Sequence, residues 1–249
     1  MTNKYMYFIA NWKMYGNLNS LNTLNKVIKF SKSKEIKKGR LIYCPPYTLL
    51  GSFYKKFKNC LIDIGAQNCH ENVDFGPHTG FINSKMLKNI GANYVIIGHS
   101  DNRKKGETNK LINQKIKSAF HAKLKVILCI GETLKEKRSR KTKSVLSKQI
   151  KLGLDNINKG LNLFIAYEPV WSIGTGVIPK SKELEINVSK IRKLLSKRTK
   201  YKLPILYGGS VSSKNINSLK NISGINGFLV GSASQNSKKF IDIIKKTIN

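Results

Sequence analysis

Eight short apolar runs recur along the chain, and each is followed by a longer, lysine-rich segment. Short apolar runs bounded by polar residues are typical of buried parallel strands, and the intervening segments are long enough for covering helices. Strands are therefore predicted at Tyr5 to Ala10, Leu41 to Cys44, Leu61 to Ala66, Tyr94 to Ile97, Val126 to Ile130, Leu163 to Tyr167, Ile205 to Tyr207 and Gly227 to Val230.

Three of the intervening segments carry apolar residues with helical spacing. These sets are Leu21, Leu24 and Ile28; Ile112, Ile116 and Ala119; and Phe240, Ile244 and Ile248. Each set forms one apolar face with lysines on the other side, which predicts amphipathic helices. Eight strand and helix units in 249 residues, with no linker between them, predict an α/β fold in which residues 1–249 form a single closed (β/α)₈ barrel.

The chain is strongly basic, with 46 lysines and arginines against 13 aspartates and glutamates, a formal net charge of +33. Such an excess raises nucleic acids, anionic membranes and acidic small molecules as partners. The basic residues are spread along the whole sequence, and aromatic residues are not interleaved with basic runs such as residues 135–143. No nucleic-acid-binding motif is present, so a specific nucleic-acid partner is not expected.

The cysteines and the apolar runs bear on the compartment. The four cysteines form no CxxC pair and are too few for a disulfide scaffold, which favours a reducing environment. The first apolar run is too short for a signal peptide, and no run approaches the roughly 20 residues that span a bilayer. We expect a soluble, cytoplasmic protein with no membrane partner.

Polar residues follow several of the predicted strands at their carboxyl ends. Asn11 and Lys13 follow the first strand, His99 follows the fourth, and Glu168 follows the sixth. Active sites of (β/α)₈ barrels lie at this end of the strands, so these side chains are expected to converge. Each alone has a plainer interpretation, since Lys13 fits a surface charge and His99 a structural histidine, but together they supply a cation, an imidazole and a carboxylate.

Two glycine-rich turns follow the seventh and eighth strands, Gly208-Gly209-Ser210 and Gly231-Ser232. In such barrels these two loops present backbone N–H groups to a phosphate. The segment after Glu168 starts with Pro169, Val170 and Trp171 and ends in Gly174, Thr175 and Gly176. A stiff apolar segment that ends in glycines fits a lid that closes over a ligand, although an ordinary ordered loop is the alternative.

Seven blocks of the sequence, taken in order, resemble those of the triosephosphate isomerase family. The blocks are Asn11-Trp12-Lys13-Met14, Gly65-Ala66-Gln67-Asn68, Gly98-His99-Ser100, Cys129-Ile130-Gly131-Glu132, Tyr167-Glu168-Pro169-Val170-Trp171 with Gly174-Thr175-Gly176, Tyr207-Gly208-Gly209-Ser210-Val211 and Gly227-Phe228-Leu229-Val230-Gly231. They cover the chain from end to end.

The resemblance implies a cofactor-free and metal-free enzyme that interconverts dihydroxyacetone phosphate and glyceraldehyde 3-phosphate through an enediolate, a step of glycolysis and gluconeogenesis. It makes Glu168 the base, His99 the electrophile and Lys13, with Asn11, the stabilising group. It assigns the phosphate to backbone N–H groups of Gly174, Ser210, Gly231 and Ser232, and supporting positions to Asp101, Cys129 and Glu132. It also implies a homodimer in which the loop at Thr79 inserts beside the Lys13 region of the partner.

Six positions depart from what the family generally carries: Asp101, Asn102, Phe81, Tyr15, Ser172 and Asn226. Asp101 stands in place of a glutamate that supports the lysine, so its reach to Lys13 is expected to be one methylene short. Asn102 replaces an arginine and Phe81 replaces an acid, which suggests that one ion pair has been lost as a unit. Ser172 replaces a common alanine.

A different barrel isomerase or lyase that acts on a sugar phosphate is the competing enzyme hypothesis. It would share the phosphate turns but differ at the reacting centre. The combination of Glu168, His99 and Lys13 argues against it.

Overall fold

Eight parallel strands close into a barrel in the computed structural model of the protein, which describes residues 5–157 and 162–248. The strands are β1 (Met6–Asn11), β2 (Gly39–Cys44), β3 (Ile62–Ala66), β4 (Tyr94–Ile97), β5 (Lys125–Ile130), β6 (Leu163–Tyr167), β7 (Ile205–Tyr207) and β8 (Gly227–Val230). They pair in chain order, and β8 pairs with β1 to close the sheet. The predicted (β/α)₈ barrel is confirmed.

Helices connect the strands on the outside of the barrel. Those in the described residues are α1 (Asn25–Ser31), α2 (Tyr47–Phe57), α3 (Ser84–Asn89), α4 (Ser100–Arg103), α5 (Asn109–His121), α6 (Leu134–Arg138), α7 (Thr142–Gly153), α8 (Ser181–Ser196), α9 (Ile216–Lys220) and α10 (Ser237–Ile248). In the part of the chain that the structure describes, no helix combines the length and apolarity needed to cross a membrane.

The second and third predicted helical faces are confirmed, and the first differs. Ile112, Ile116 and Ala119 are fully buried in α5, and Phe240 and Ile244 are fully buried in α10. The segment of Leu21 and Leu24, however, is a 3₁₀ helix, Leu18–Leu24, that runs into α1. Spacing of three residues fits either helix type, and a reciprocal cap between Asn17 and Ser20 starts the tighter one.

The strands bury side chains on both faces. Outward residues such as Phe8 and Ala10 pack under the helices, while Ile9, Phe164 and Ala166 fill the barrel interior. Side chains alternate between the two faces of a strand. Glu168, two positions after Ala166, therefore continues the row of inward-facing side chains. This alternation directs a carboxylate to the carboxyl end of the barrel.

Candidate active site

A cavity of about 690 Å³ opens at the carboxyl ends of the strands. It is lined by residues from the ends of β1 and β8, from the start of α10 and from the loops after β1, β4, β6, β7 and β8: Asn11, Lys13, Tyr15, His99, Glu168, Ile173, Gly174, Gly176, Gly208, Gly209, Ser210, Val211, Ser212, Ser213, Lys214, Asn215, Leu229, Gly231, Ser232, Ala233, Gln235 and Lys239. The sequence-predicted reacting groups and the phosphate turns therefore share one cavity.

Lys13 is held at the cavity by its backbone. Its φ of 56° lies in the left-handed region, which is costly for a residue with a side chain and is concentrated at functional sites. The Gln67 side-chain amide donates to the Lys13 carbonyl at 2.8 Å, and the buried Asn11 side chain accepts from the Lys13 N–H at 3.2 Å. These two bonds fix the strained backbone and so aim the side chain.

The Lys13 ammonium pairs with Asp101, with 3.0 Å between Nζ and Oδ2. The expected shortfall of one methylene is therefore wrong, because the shorter carboxylate makes a direct contact. Asp101 lies in the first turn of α4, two residues after His99, which brings it close to the β1 loop. Burial opposes ionisation of Asp101, but the bond from Lys13 and the nearby His99 prevail and lower its pKa.

His99 is buried and caps α4 with its ring. Nδ1 accepts a hydrogen bond from the Asp101 backbone N–H at 3.1 Å. Nδ1 therefore carries no proton, and the ring proton lies on Nε2. Nε2 faces the Glu168 carboxylate, 3.5 Å from Oε1. The ring thus presents a donor to the cavity beside a carboxylate.

Glu168 is 2 % exposed at the end of β6. Burial is the main influence on its carboxyl group and raises the pKa, against the lowering effects of His99 and Lys13. Gly208 makes room for the side chain, since a Cβ at that position would lie 2.7 Å from Glu168 Cγ. A buried carboxylate with a raised pKa is the pattern of a general base.

Cys129 in β5 and Arg103 at the end of α4 support this centre. The Cys129 thiol is buried close to the Glu168 carboxylate, and burial raises the pKa of that thiol well above its ordinary value. Arg103 donates to the Gly98 carbonyl at 2.7 Å and to the Cys129 carbonyl at 3.1 Å, which ties the ends of β4 and β5 together. The loop that carries His99 is therefore fixed relative to Glu168.

The opposite end of the cavity is made of backbone. Gly174, Ser210, Gly231 and Ser232 all line it, as the sequence predicted for the phosphate turns. Ser232–Gln235 forms a 3₁₀ turn, and the first N–H groups of such a turn have no partner within it. The four residues come from three loops, and their backbone N–H groups would suit an anion.

The predicted lid lies over the same cavity. Val170–Ser172 forms a 3₁₀ turn, and Gly174 and Gly176 follow it with positive φ of 73° and 77°. The Trp171 indole donates to the Glu132 carboxylate at 3.0 Å, and the Lys137 ammonium lies 3.6 Å from the centre of the Trp171 ring. Glu132 is fully buried and also accepts from the Tyr167 hydroxyl, so it anchors the start of the segment.

Several site residues were not predicted from the sequence. Gln67 and Arg103 act on backbone atoms of other loops, and Lys214 and Lys239 reach the cavity from the segments after β7 and β8. Gln67 lies in one of the family-like blocks, which was the available signal, whereas the two lysines are indistinguishable from the many others in the sequence. Among the residues described, no group of three metal-binding side chains occurs.

Comparison with known proteins agrees with this geometry. Residues 6–247 match the family model described as triosephosphate isomerase. The triosephosphate isomerase of Dictyoglomus thermophilum is 40% identical over 244 residues, covering 95% of this chain and 97% of its own length. That of a Bradyrhizobium species is 39% identical over 251 residues, covering 98% and 99%. The crystal structure of the Bartonella henselae enzyme superposes with a TM-score of 0.88 at 34% identity, covering 97% of this chain and 98% of that one. The chain belongs to the triosephosphate isomerase family.

Proposed function

We propose that the chain interconverts dihydroxyacetone phosphate and glyceraldehyde 3-phosphate, with Glu168, His99 and Lys13 as its catalytic residues. The carrying observation is that the Glu168 carboxylate and the His99 Nε2 donor lie 3.5 Å apart in a cavity that Gly174, Ser210, Gly231 and Ser232 also line. A phosphate bound by the backbone N–H groups of those four residues would hold the adjacent carbons of a triose against the carboxylate and the imidazole.

The reaction needs one base and two stabilising donors. Glu168 removes a proton from one carbon and returns it to the next, while the His99 Nε2–H polarises the carbonyl oxygen. Lys13, held by Asp101, balances the negative charge of the enediolate and of the phosphate. The Asn11 side chain positions Lys13 by accepting a hydrogen bond from the Lys13 backbone N–H.

The segment from Pro169 to Gly176 acts as the lid. An enediolate with a phosphate on the neighbouring carbon expels that phosphate when water and open geometry permit, so closure protects the intermediate. Gly174 belongs both to this segment and to the phosphate-binding groups, which couples lid closure to substrate binding.

We further propose a homodimer in which the loops after β1 and β3 form the interface. Large apolar side chains are exposed on these loops, among them Met14 at 93 % and Phe81 at 62 %. Exposed apolar side chains of this size on adjacent loops are typical of a protein interface. Residues 1–249 are proposed to be one catalytic domain, and a cytoplasmic location is supported by four unpaired cysteines.

The decisive experiment is a coupled assay of glyceraldehyde 3-phosphate formation from dihydroxyacetone phosphate with the purified chain. A turnover that is abolished by Glu168→Gln supports the proposal. No turnover by the folded wild-type chain would refute it.

A further inference from the structure

Ser172, the last residue of the 3₁₀ turn at the start of the lid, has a fully buried side chain. The residues that follow it, Gly174 to Val177, are exposed. A buried hydroxyl requires hydrogen-bond partners. The Ser172 hydroxyl has three of them, in Val177, Tyr207 and Ser210.

The Ser172 hydroxyl connects the two ends of the lid with the loop after β7. Its Oγ donates to the Val177 carbonyl at 2.5 Å, lies 3.0 Å from the Tyr207 hydroxyl, and accepts from the Ser210 N–H at 3.4 Å. A hydroxyl has one proton to give, so with that proton on Val177 the Tyr207 hydroxyl is the donor to Ser172. All three contacts are made with the lid where it lies in this structure.

A second set of bonds holds the lid through its backbone. The Ser210 hydroxyl donates to the Ser172 carbonyl at 2.6 Å and accepts from the Gly176 N–H at 3.1 Å. These bonds use no part of the Ser172 side chain. An alanine at this position would keep them and lose only the contacts of the hydroxyl, so the two sets are separable by substitution.

We propose that the lid conformation seen here, in which Gly174 and Gly176 line the cavity, is the closed one, and that Ser172 is a positioning residue whose hydroxyl stabilises it over the substrate; this inference rests on the proposed function. It touches no reacting atom. Its longest contact, to the Ser210 N–H, is the one that a bound phosphate takes over, and the bonds to Val177 and Tyr207 remain. Ligands that bind with the lid closed therefore gain affinity from the Ser172 hydroxyl, although they do not contact it.

The test is the affinity of Ser172→Ala for 2-phosphoglycolate, whose planar carboxylate and phosphate match the charge and shape of the enediolate. We expect the dissociation constant to rise about tenfold, equivalent to about 1.4 kcal/mol, with a similar rise in KM and a smaller change in kcat. Ser84→Ala is the matched control, because it removes an equally buried hydroxyl that pairs with Ser118 away from the lid. An unchanged dissociation constant in Ser172→Ala overturns the proposal.

A double-mutant cycle with Tyr207→Phe distinguishes loss of the Ser172–Tyr207 hydrogen bond from a general loss of stability. Both substitutions remove the Ser172–Tyr207 hydrogen bond. The double mutant should therefore lose much less affinity for 2-phosphoglycolate than the sum of the two single-mutant losses. Fully additive effects on the 2-phosphoglycolate affinity would overturn the proposed role of the Ser172 hydroxyl. The analogue titration needs no turnover. Absence of isomerase activity in the wild-type chain would therefore refute the proposed function, whereas the titration would still decide whether Ser172 stabilises the closed lid.

Discussion

The Asp101 carboxylate contacts the Lys13 ammonium directly, with 3.0 Å between Oδ2 and Nζ. The sequence alone suggested that this carboxylate is too short for the contact. The structure removes that difficulty because Asp101 lies in the first turn of α4, two residues after the helix-capping His99. The pair couples the loop after β1 to the loop after β4.

A longer side chain at position 101 should lower the rate, because Asp101 already contacts Lys13 directly. Asp101→Glu would have to bend back or displace Lys13, and a displacement of about 1 Å in an active site costs on the order of a hundredfold in rate. We expect kcat to fall severalfold, with little change in the melting temperature. Steady-state kinetics decide the point, and a higher kcat in Asp101→Glu would show that the native pair is poorly adapted.

Removal of the carboxylate base should abolish most of the turnover. General-base catalysis contributes about 10² to 10⁴-fold, so Glu168→Gln is expected to lower kcat by at least a hundredfold. The phosphate-binding groups are untouched, so inorganic phosphate should bind with nearly wild-type affinity. Glu35→Gln is the control, since Glu35 pairs with Lys245 away from the cavity. A loss of less than tenfold in Glu168→Gln would contradict its role as base.

The pH profile should report the raised pKa of Glu168. Only the ionised carboxylate accepts a proton, so kcat/KM is full above this pKa and is lost as the pH falls through it. The Lys13 charge lowers the pKa of Glu168, and its removal therefore raises that pKa further. In Lys13→Met we expect lower kcat/KM at every pH and an acid limb moved to higher pH. An acid limb that moves to lower pH, or not at all, would contradict this coupling.

Much of the fold was predictable because it depends on local patterns. The strands are buried on both faces, so they appear in the sequence as apolar runs, and β4, β6, β7 and β8 match the predicted bounds. Glu168 was identifiable because a carboxylate directly after such a run is unusual. The positioning roles of Gln67 and Arg103, by contrast, were not identifiable from the sequence. Gln67 lies 54 positions from the carbonyl it holds, and a contact of that kind depends on how the loops pack.

The charge of the cavity rim should accelerate substrate capture. Lys214 and Lys239 line the cavity together with Lys13, and a dianionic substrate is attracted until salt screens the field beyond about 8 Å at physiological ionic strength. We expect kcat/KM to fall with added sodium chloride, and the slope to be smaller in Lys214→Glu with Lys239→Glu at unchanged kcat.

The matched control reverses Lys55 and Lys58, which lie at the carboxyl end of α2, at the opposite end of the barrel. The same net charge change there should alter the slope much less. Competition by chloride is separated from screening by repeating the series with a bulkier monovalent anion. Equal slopes in the rim and control variants would attribute the salt effect to overall charge alone.

Phe81 should contribute to the proposed dimer interface. Its ring is 62 % exposed and packs edge-to-face against His70, with 4.9 Å between the ring centres. Burial of an aromatic side chain stabilises an interface by roughly 1.5–3 kcal/mol, so Phe81→Asp is expected to shift the equilibrium toward monomer, and Asn102→Arg in the same chain to restore much of the dimer. Sedimentation equilibrium measures both. Leu61→Asp is the control, because Leu61 is 75 % exposed before β3, at the other end of the barrel. A dimer that is as stable in Phe81→Asp as in Leu61→Asp would exclude Phe81 from the interface.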